Sequence, residues 1–328
     1  MNKKLRFLIL GTSSALLMLG AVAGATAQEV TLRLGHIFAD THPIGIGATA
    51  LSDYVAKESG GRIRIAVFPA SQLGGLRALE DAAASGLLDI TQSSAPSLQA
   101  IYEPAAVLTI PYAFRDAAHL QAAWSGSIGQ KMRDDLVTQN ELRVLSTFPQ
   151  PPRHISANDP IANVDDLKGT RIRVPQVPSW VAFFEKIGAV PTPIELGELV
   201  TSLQLGIVTA QENPYATIES MKLSDVQTYL VPTGHVRTLD FFLLSNATYQ
   251  KLPEDLRKIV MDGGVVAEKA VIEEWEKASE SALARLQDAG MKLVDVDVQS
   301  IMDASGDLYK EFLTSENQKV FEEIQKIQ

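Results

Sequence analysis

Arg173 and Asn213 are the side chains whose types and settings point most directly to chemistry. Arg173 stands in Arg171-Ile172-Arg173-Val174-Pro175, an alternating strand pattern that sends Ile172 and Val174 one way and the two arginines the other. A guanidinium held on a rigid strand is a fork matched to a carboxylate through two parallel hydrogen bonds. On pattern alone, a solvated edge charge or an ion-pair partner is an equal reading. Asn213 stands in Ala210-Gln211-Glu212-Asn213-Pro214. Pro214 pushes it out of helical geometry, so its carboxamide is expected to project at a strand end. There it can donate to a carboxylate that Arg173 already holds, and the chemistry expected is recognition of an organic anion.

The elements that must position these groups follow from periodicity. Val30 to Leu34 reads as a strand ending at Gly35-His36, and Pro43 opens a helix with Ile44, Ala48, Leu51 and Val55 on one face. Gly45-Ile46-Gly47-Ala48-Thr49-Ala50 matches a relaxed dinucleotide fingerprint, but a long loop replaces the tight turn that fingerprint needs. Close helix packing is the better account of its small residues. Arg62 to Phe68 is a second strand, Arg77 to Ala84 a helix and Leu88 to Ser93 a third strand. This order implies a parallel sheet whose carboxyl ends carry the ligand, which puts His36 and Gln92-Ser93-Ser94 at the rim with Glu80 nearby. His119 to Val137 is expected to be helical, and Arg143 to Phe148 a strand leading to Pro151-Pro152 and Arg153.

Pro151-Pro152 suits a crossing between domains, beyond which a second unit alternates strands and helices from Arg171 to Pro214. The apolar strand Phe241 to Leu244 is expected to return to the first sheet. The long helical pattern from Pro253 to Ala289, about 50 Å at 1.5 Å per residue, exceeds one small domain and is expected to span both. Met291 to Gln328 is expected to pack on the second domain. His235, with no carboxylate or histidine flanking it at ligand spacing, reads as an interdomain hydrogen-bonding residue. The expected division is a leader over 1–27, a first domain of 28–150 plus 239–278, and a second of 151–238 plus 279–328.

Composition narrows the setting. Lys3, Lys4 and Arg6 precede an apolar run and an Ala25-Thr26-Ala27 site, the pattern of a cleaved export leader. Its removal leaves 301 residues (328 minus 27) and takes the formal charge from -10 to -13 by removing three positive charges and no acids. That length favours two domains, and so acidic a chain is a poor partner for nucleic acid or an anionic membrane. With no cysteine, disulfides, thiolate metal sites and a lipid-modified cysteine are excluded. A soluble periplasmic protein is expected, with no cofactor or metal.

One ordered set of motifs spans the whole mature chain. It comprises Ser59-Gly60-Gly61-Arg62-Ile63, Phe68-Pro69-Ala70-Ser71-Gln72-Leu73-Gly74, Pro111-Tyr112, Lys168-Gly169, Ile172-Arg173-Val174-Pro175, Pro191-Thr192-Pro193, Gln211-Glu212-Asn213-Pro214 and Thr233-Gly234-His235. The set resembles the solute receptors of tripartite ATP-independent periplasmic (TRAP) transporters, of the DctP type. The resemblance implies an α/β, two-domain periplasmic binding protein fold with mixed sheets, crossing hinge strands and a long interdomain helix. It also implies a monomer that closes over a small organic acid and delivers it to the membrane subunits of a TRAP transporter. Within it, Arg173 corresponds to the carboxylate-binding arginine, Arg153 to a frequent second cationic contact and Asn213 to the amide completing the clamp. Ser94 falls at a polar contact after the third strand, and Gln176 and Asp240 at positions that vary with substrate. Glu80, His36 and Trp180 are further contacts to be tested, with Ser93 beside them. Two departures stand out: Thr209-Ala210 where the family usually has Asp-Gly, and Leu196 where relatives can carry a phenylalanine.

A sugar acid or related hydroxy monocarboxylate is the ligand expected, with a C4-dicarboxylate or keto acid as the alternative. A sensor that presents the ligand to a membrane kinase is a further alternative. A secreted hydrolase is disfavoured, since no G-x-S-x-G, S-x-x-K or H-E-x-x-H is present.

Overall fold

Alternating apolar residues organise two sheets in the computed structural model, which describes residues 30–328. The leader expected over 1–27 lies outside the described residues. Strands β1 (Val30–Gly35), β2 (Ile63–Phe68), β3 (Ile90–Ser94) and β4 (Leu142–Pro149) belong to the first sheet. The second sheet is built from β5 (Arg153–Ala157), β6 (Arg171–Val174), β7 (Val190–Pro193), β8 (Ala210–Asn213) and β9 (Tyr229–Val236). β10 (Leu239–Ser245) returns to the first sheet and β11 (Lys292–Leu293) closes the edge of the second. The orders are β2-β1-β3-β10-β4 and β11-β9-β5-β8-β6-β7.

Both sheets are mixed, as expected. β1 pairs in parallel with β2 and β3, while β10 runs antiparallel between β3 and β4. In the second sheet β6 is parallel to β7 and β8, and β5 antiparallel to β8 and β9. All seven residues of β10 are buried, because a central strand covered on both faces needs no polar side. The chain passes between the sheets through Gln150–Pro152, through Arg237–Thr238 and again along the helix Glu254–Asp288 to β11, and the Gln150 amide donates to the Thr238 carbonyl at 2.9 Å to tie the first two crossings together.

Small residues allow one long helix to lie against the first sheet and reach the second. Glu254–Asp288 runs for 35 residues, about 52 Å. A Cβ on Gly47 of helix Pro43–Glu58 would fall 2.2 Å from Val271, and one on Gly264 would fall 2.2 Å from the Leu145 carbonyl oxygen of β4. Helix packing is thus the role of the Gly45–Ala50 run. Towards its end the long helix inserts Leu286 among Ile218, Leu230 and Met291 of the second lobe, and Arg285 pairs with Glu219 through Nη2 and Oε2 at 2.7 Å.

Two expectations are corrected. The helix expected over His119–Val137 is two, Ala117–Ser125 and Ser127–Asn140, broken where Gly126 is extended. The last helix, Ser315–Gln325, does not pack on the second lobe. Phe321 and Ile324, with Leu313 before them, join the first-lobe core around Ala105–Leu108, since that apolar edge is left open by the first sheet's helices.

Gly264→Ala tests the close approach: the added methyl meets backbone, which cannot swing aside, so we expect a loss of about 1–3 kcal/mol in denaturant unfolding. An unchanged midpoint would contradict the packing described.

Candidate functional site

The two sheets face each other across a cleft of about 200 Å³. β3 and β10 supply Gln92, Ser94 and Asp240 from the first lobe; Arg153, Arg173, Asn213 and Trp180 come from the second. The mouth is formed by Arg77, Gln176, Glu195 and Leu196, of which Arg77, Gln176 and Glu195 are exposed.

Arg173 owes its position to strand alternation. Ile172 and Val174 point into the second-lobe core, and Arg173, 2% exposed, points into the cleft. Its Nε donates to the Ile194 carbonyl at 2.7 Å, which fixes the plane of the guanidinium. No carboxylate among the described residues pairs with it, and its two terminal nitrogens make no hydrogen bond there. Burial lowers its pKa to about 10; Arg153 pushes the same way, against Glu212 and Glu195. It stays charged at neutral pH.

Arg153 lines the same cleft but is largely committed. Its Nε meets Glu212 Oε2 at 2.5 Å and its Nη2 meets Glu212 Oε1 at 2.9 Å, the Glu212 carbonyl at 2.8 Å and Asn213 Oδ1 at 2.9 Å. Nη1 donates to Gln150 Oε1 at 3.1 Å, which leaves one N–H of five for a ligand. Burial pushes the Glu212 carboxyl up, but Arg153 and His235 outweigh it and hold it below its ordinary value. The guanidinium also lies over the Trp180 ring, 4.8 Å from its centre, and Trp180 Nε1 donates to the Thr109 carbonyl at 2.8 Å.

A donor-only arginine sets the orientation of a buried amide chain. Asn213 Oδ1 accepts from Arg153, so its Nδ2 must donate: it reaches Gln211 Oε1 at 2.6 Å, and Gln211 Nε2 reaches Ser156 Oγ at 2.6 Å. Ser156 in turn bonds Gln227. The second Nδ2–H of Asn213 remains for the cleft. The Thr209-Ala210 departure leaves this strand regular, because Thr209 N still donates to the Arg171 carbonyl at 2.8 Å.

Asp240, 1% exposed, faces the cleft from β10 opposite Ser94 on β3. Gln150 Nε2 donates to its Oδ2 at 3.1 Å. Burial raises its pKa to about 7, against the pull of Arg153 and Gln150. Ser94 caps the short helix Ala95–Leu98 by accepting from Ser97 N, and Gln176 donates to Glu195 Oε1 at 3.2 Å.

Three expected contacts are absent from the cleft wall. Ser93 alternates to the other face of β3, where its Oγ donates to Glu80 Oε1 at 2.5 Å; Ser97 Oγ reaches Glu80 Oε2 at 2.8 Å. Glu80 is therefore sealed beneath the wall, and burial raises it to about 7. His36 is fully buried with both ring nitrogens unpartnered, and burial lowers it to about 4. In its place Gln92 enters the wall, accepting from Ile37 N at 3.1 Å. Gln92 was placed at the rim but not among the named contacts, and Gln150 was missed as a site residue. The period-2 rule on β3 was the available signal for Gln92; for Gln150, inside a proline-flanked crossing, there was none. His235 makes its side-chain bond to Thr233 within its own lobe, at 2.7 Å, and it is its carbonyl that accepts from Tyr112 N of the other.

Known proteins share this architecture. The family model described as bacterial extracellular solute-binding protein, family 7, matches residues 34–316. A solute-binding protein of Roseobacter denitrificans is 32% identical over 287 residues, 88% of each chain. Among solved structures, a TRAP periplasmic solute binding protein from the same organism with bound L-galactonate superposes with a TM-score of 0.87 at 30% identity, covering 91% of this chain and 99% of that one. Another, from Polaromonas with bound D-erythronate, gives 0.86 at 29%, covering 92% and 99%. Among the described residues no helix is long and apolar enough to cross a membrane.

Glu80 generates a pH prediction. Its folded pKa lies above the unfolded value of 4.5, so the folded state holds the proton more tightly and stability falls as pH rises from about 4.5 to about 7. Glu80→Gln removes that loss. We expect its melting temperature relative to wild type to climb from pH 5 to pH 8, by the equivalent of about 3 kcal/mol; a constant difference would refute the buried protonated carboxyl.

Proposed function

We propose that this chain, which belongs to bacterial extracellular solute-binding protein family 7, is the periplasmic receptor of a TRAP transporter for a sugar acid or a related small hydroxylated monocarboxylate. The family consists of solute-binding proteins, not enzymes. The observation that carries the reading is Arg173: a buried, charged guanidinium, anchored at Nε, that lines the cleft with no carboxylate paired to it among the described residues. Desolvating a charge is unfavourable unless it is paired, and a ligand carboxylate is the missing partner.

In this reading the carboxylate lies against the two terminal nitrogens of Arg173, with Asn213 Nδ2 and the remaining Nη1–H of Arg153 completing the donor set. Gln92, Ser94, Gln150 and Asp240 meet ligand hydroxyls on the opposite wall. The relatives with bound L-galactonate and D-erythronate support a hydroxylated monoacid. Leu196 at the mouth offers no ring to stack on a larger ligand. Opening would hinge at the paired crossings, Gln150–Pro152 and Arg237–Thr238. Residues 1–27 are read as an export leader that is cleaved on secretion.

Arg173→Lys is the direct test. A lysine places a point charge where a fork is needed, and we expect calorimetric affinity for the preferred sugar acid to fall about tenfold to a hundredfold with the unfolding transition retained. Unchanged affinity would remove Arg173 from the clamp.

A further inference from the structure

The charges that line the cleft do not balance symmetrically. Arg153 is neutralised by Glu212 within the protein, and Arg77 at the mouth is paired with Asp81 at 3.0 Å. Arg173 is therefore the one cleft-lining cation, among the described residues, whose charge is left for a ligand. Across from it stands a carboxyl, Asp240, whose Oδ2 is held by Gln150 and whose Oδ1 accepts from no described residue. A ligand that reaches from the second lobe to the first presents its carboxylate to Arg173 and its far end to Asp240.

We infer that Asp240 sets ligand charge: it accepts hydrogen bonds from hydroxyls at the end of the ligand remote from Arg173 and rejects a second carboxylate there. The site then takes aldonates or uronates and refuses the matching aldarates, which differ by carrying a carboxylate at both ends. C4-dicarboxylates are refused for the same reason. A hydroxyl donates to Oδ1, whereas a carboxylate has no proton to donate and brings like charge into a desolvated wall.

Burial pushes the Asp240 carboxyl up to about 7, so the discrimination is expected to depend on pH. The groups facing it are few. Arg153 is the charge that acts on it, from β5; its neighbours on β3 and β4 at this level are Ser94 and Phe148; Glu80 lies beneath β3, and Arg173 and Glu195 face it from the other lobe. Towards pH 6 Asp240 becomes mostly neutral and can donate as well as accept, so the bar to a second carboxylate weakens.

This inference rests on the receptor reading, and one titration series separates them. Calorimetry of the mature protein would compare matched pairs, galactonate or galacturonate with galactarate and gluconate or glucuronate with glucarate, at pH 8 and pH 6. The expected result is at least about tenfold preference for the monoacid at pH 8, shrinking by up to about tenfold at pH 6. Asp240→Asn should narrow the preference at pH 8 and abolish its pH dependence. Equal affinity for a monoacid and its aldarate in the wild type, or a preference that ignores pH, overturns the inference and leaves the receptor reading standing. A protein that binds no monoacid of the panel overturns both. Because the wild-type ratio at two pH values is informative by itself, a poorly folding Asp240→Asn does not decide the matter.

Discussion

The Arg153–Glu212 ion pair is the interaction on which the rest of the site depends. It is fully buried where the chain enters the second sheet, and a pair of this kind is very unfavourable to break: removing one partner leaves a buried charge, at about 3–5 kcal/mol. Three consequences radiate from it. The donor-only guanidinium orients Asn213 and the amides behind it. It grips Gln150 in the first crossing, and Gln150 in turn holds Asp240 in the other lobe. It also lies over Trp180, whose indole reaches the Thr109 carbonyl. One ion pair thus connects the second sheet, a crossing and the first sheet through direct side-chain contacts.

Its second effect is electrostatic. By satisfying one arginine internally, the protein leaves the neighbouring one lining the cleft with no carboxylate paired to it among the described residues. The chain as a whole carries a formal charge of -10, so its distant field does not favour an anion. Recognition must come from short-range, desolvated contacts, where the local dielectric makes a single guanidinium count for far more than the same charge on the surface. On the reading proposed, Glu195 at the mouth and Asp240 on the far wall would restrict which anion can profit from it.

The fold serves this arrangement by separation and return. Each sheet brings its strand ends to the cleft, yet the chain crosses at two hinge segments and a third time along the long helix, so neither lobe is a simple continuous segment. The long helix braces both lobes from behind, and its contact with the first depends on glycines that admit a neighbour where a Cβ would collide. Burial of Leu286 in the second lobe and of Leu256 in the first keeps its two ends in different cores.

What the sequence determined by itself was local. Period-2 patterns located the strands, 3.6-residue spacing located the helices, Pro214 marked Asn213 as a strand-end amide, and alternation around Ile172 and Val174 put Arg173 on the side away from the core. The crossings and the reach of the long helix followed from those patterns, which implied a parallel first sheet; the mixed two-sheet plan came only as what the family resemblance implied. Only tertiary structure decided which polar residues share a wall. Ser93 and Glu80 lie near the cleft in sequence but turn behind β3, while Gln150, which has no pattern to announce it, bridges two lobes. Only the folded chain could show that Glu212 belongs to Arg153 and not to Arg173, or that the final helix returns to the first lobe. The physical reason is the range of the interactions: backbone periodicity is written in neighbouring residues, whereas charge pairing and helix docking depend on groups that meet across tens or hundreds of residues, 59 in the case of Arg153 and Glu212.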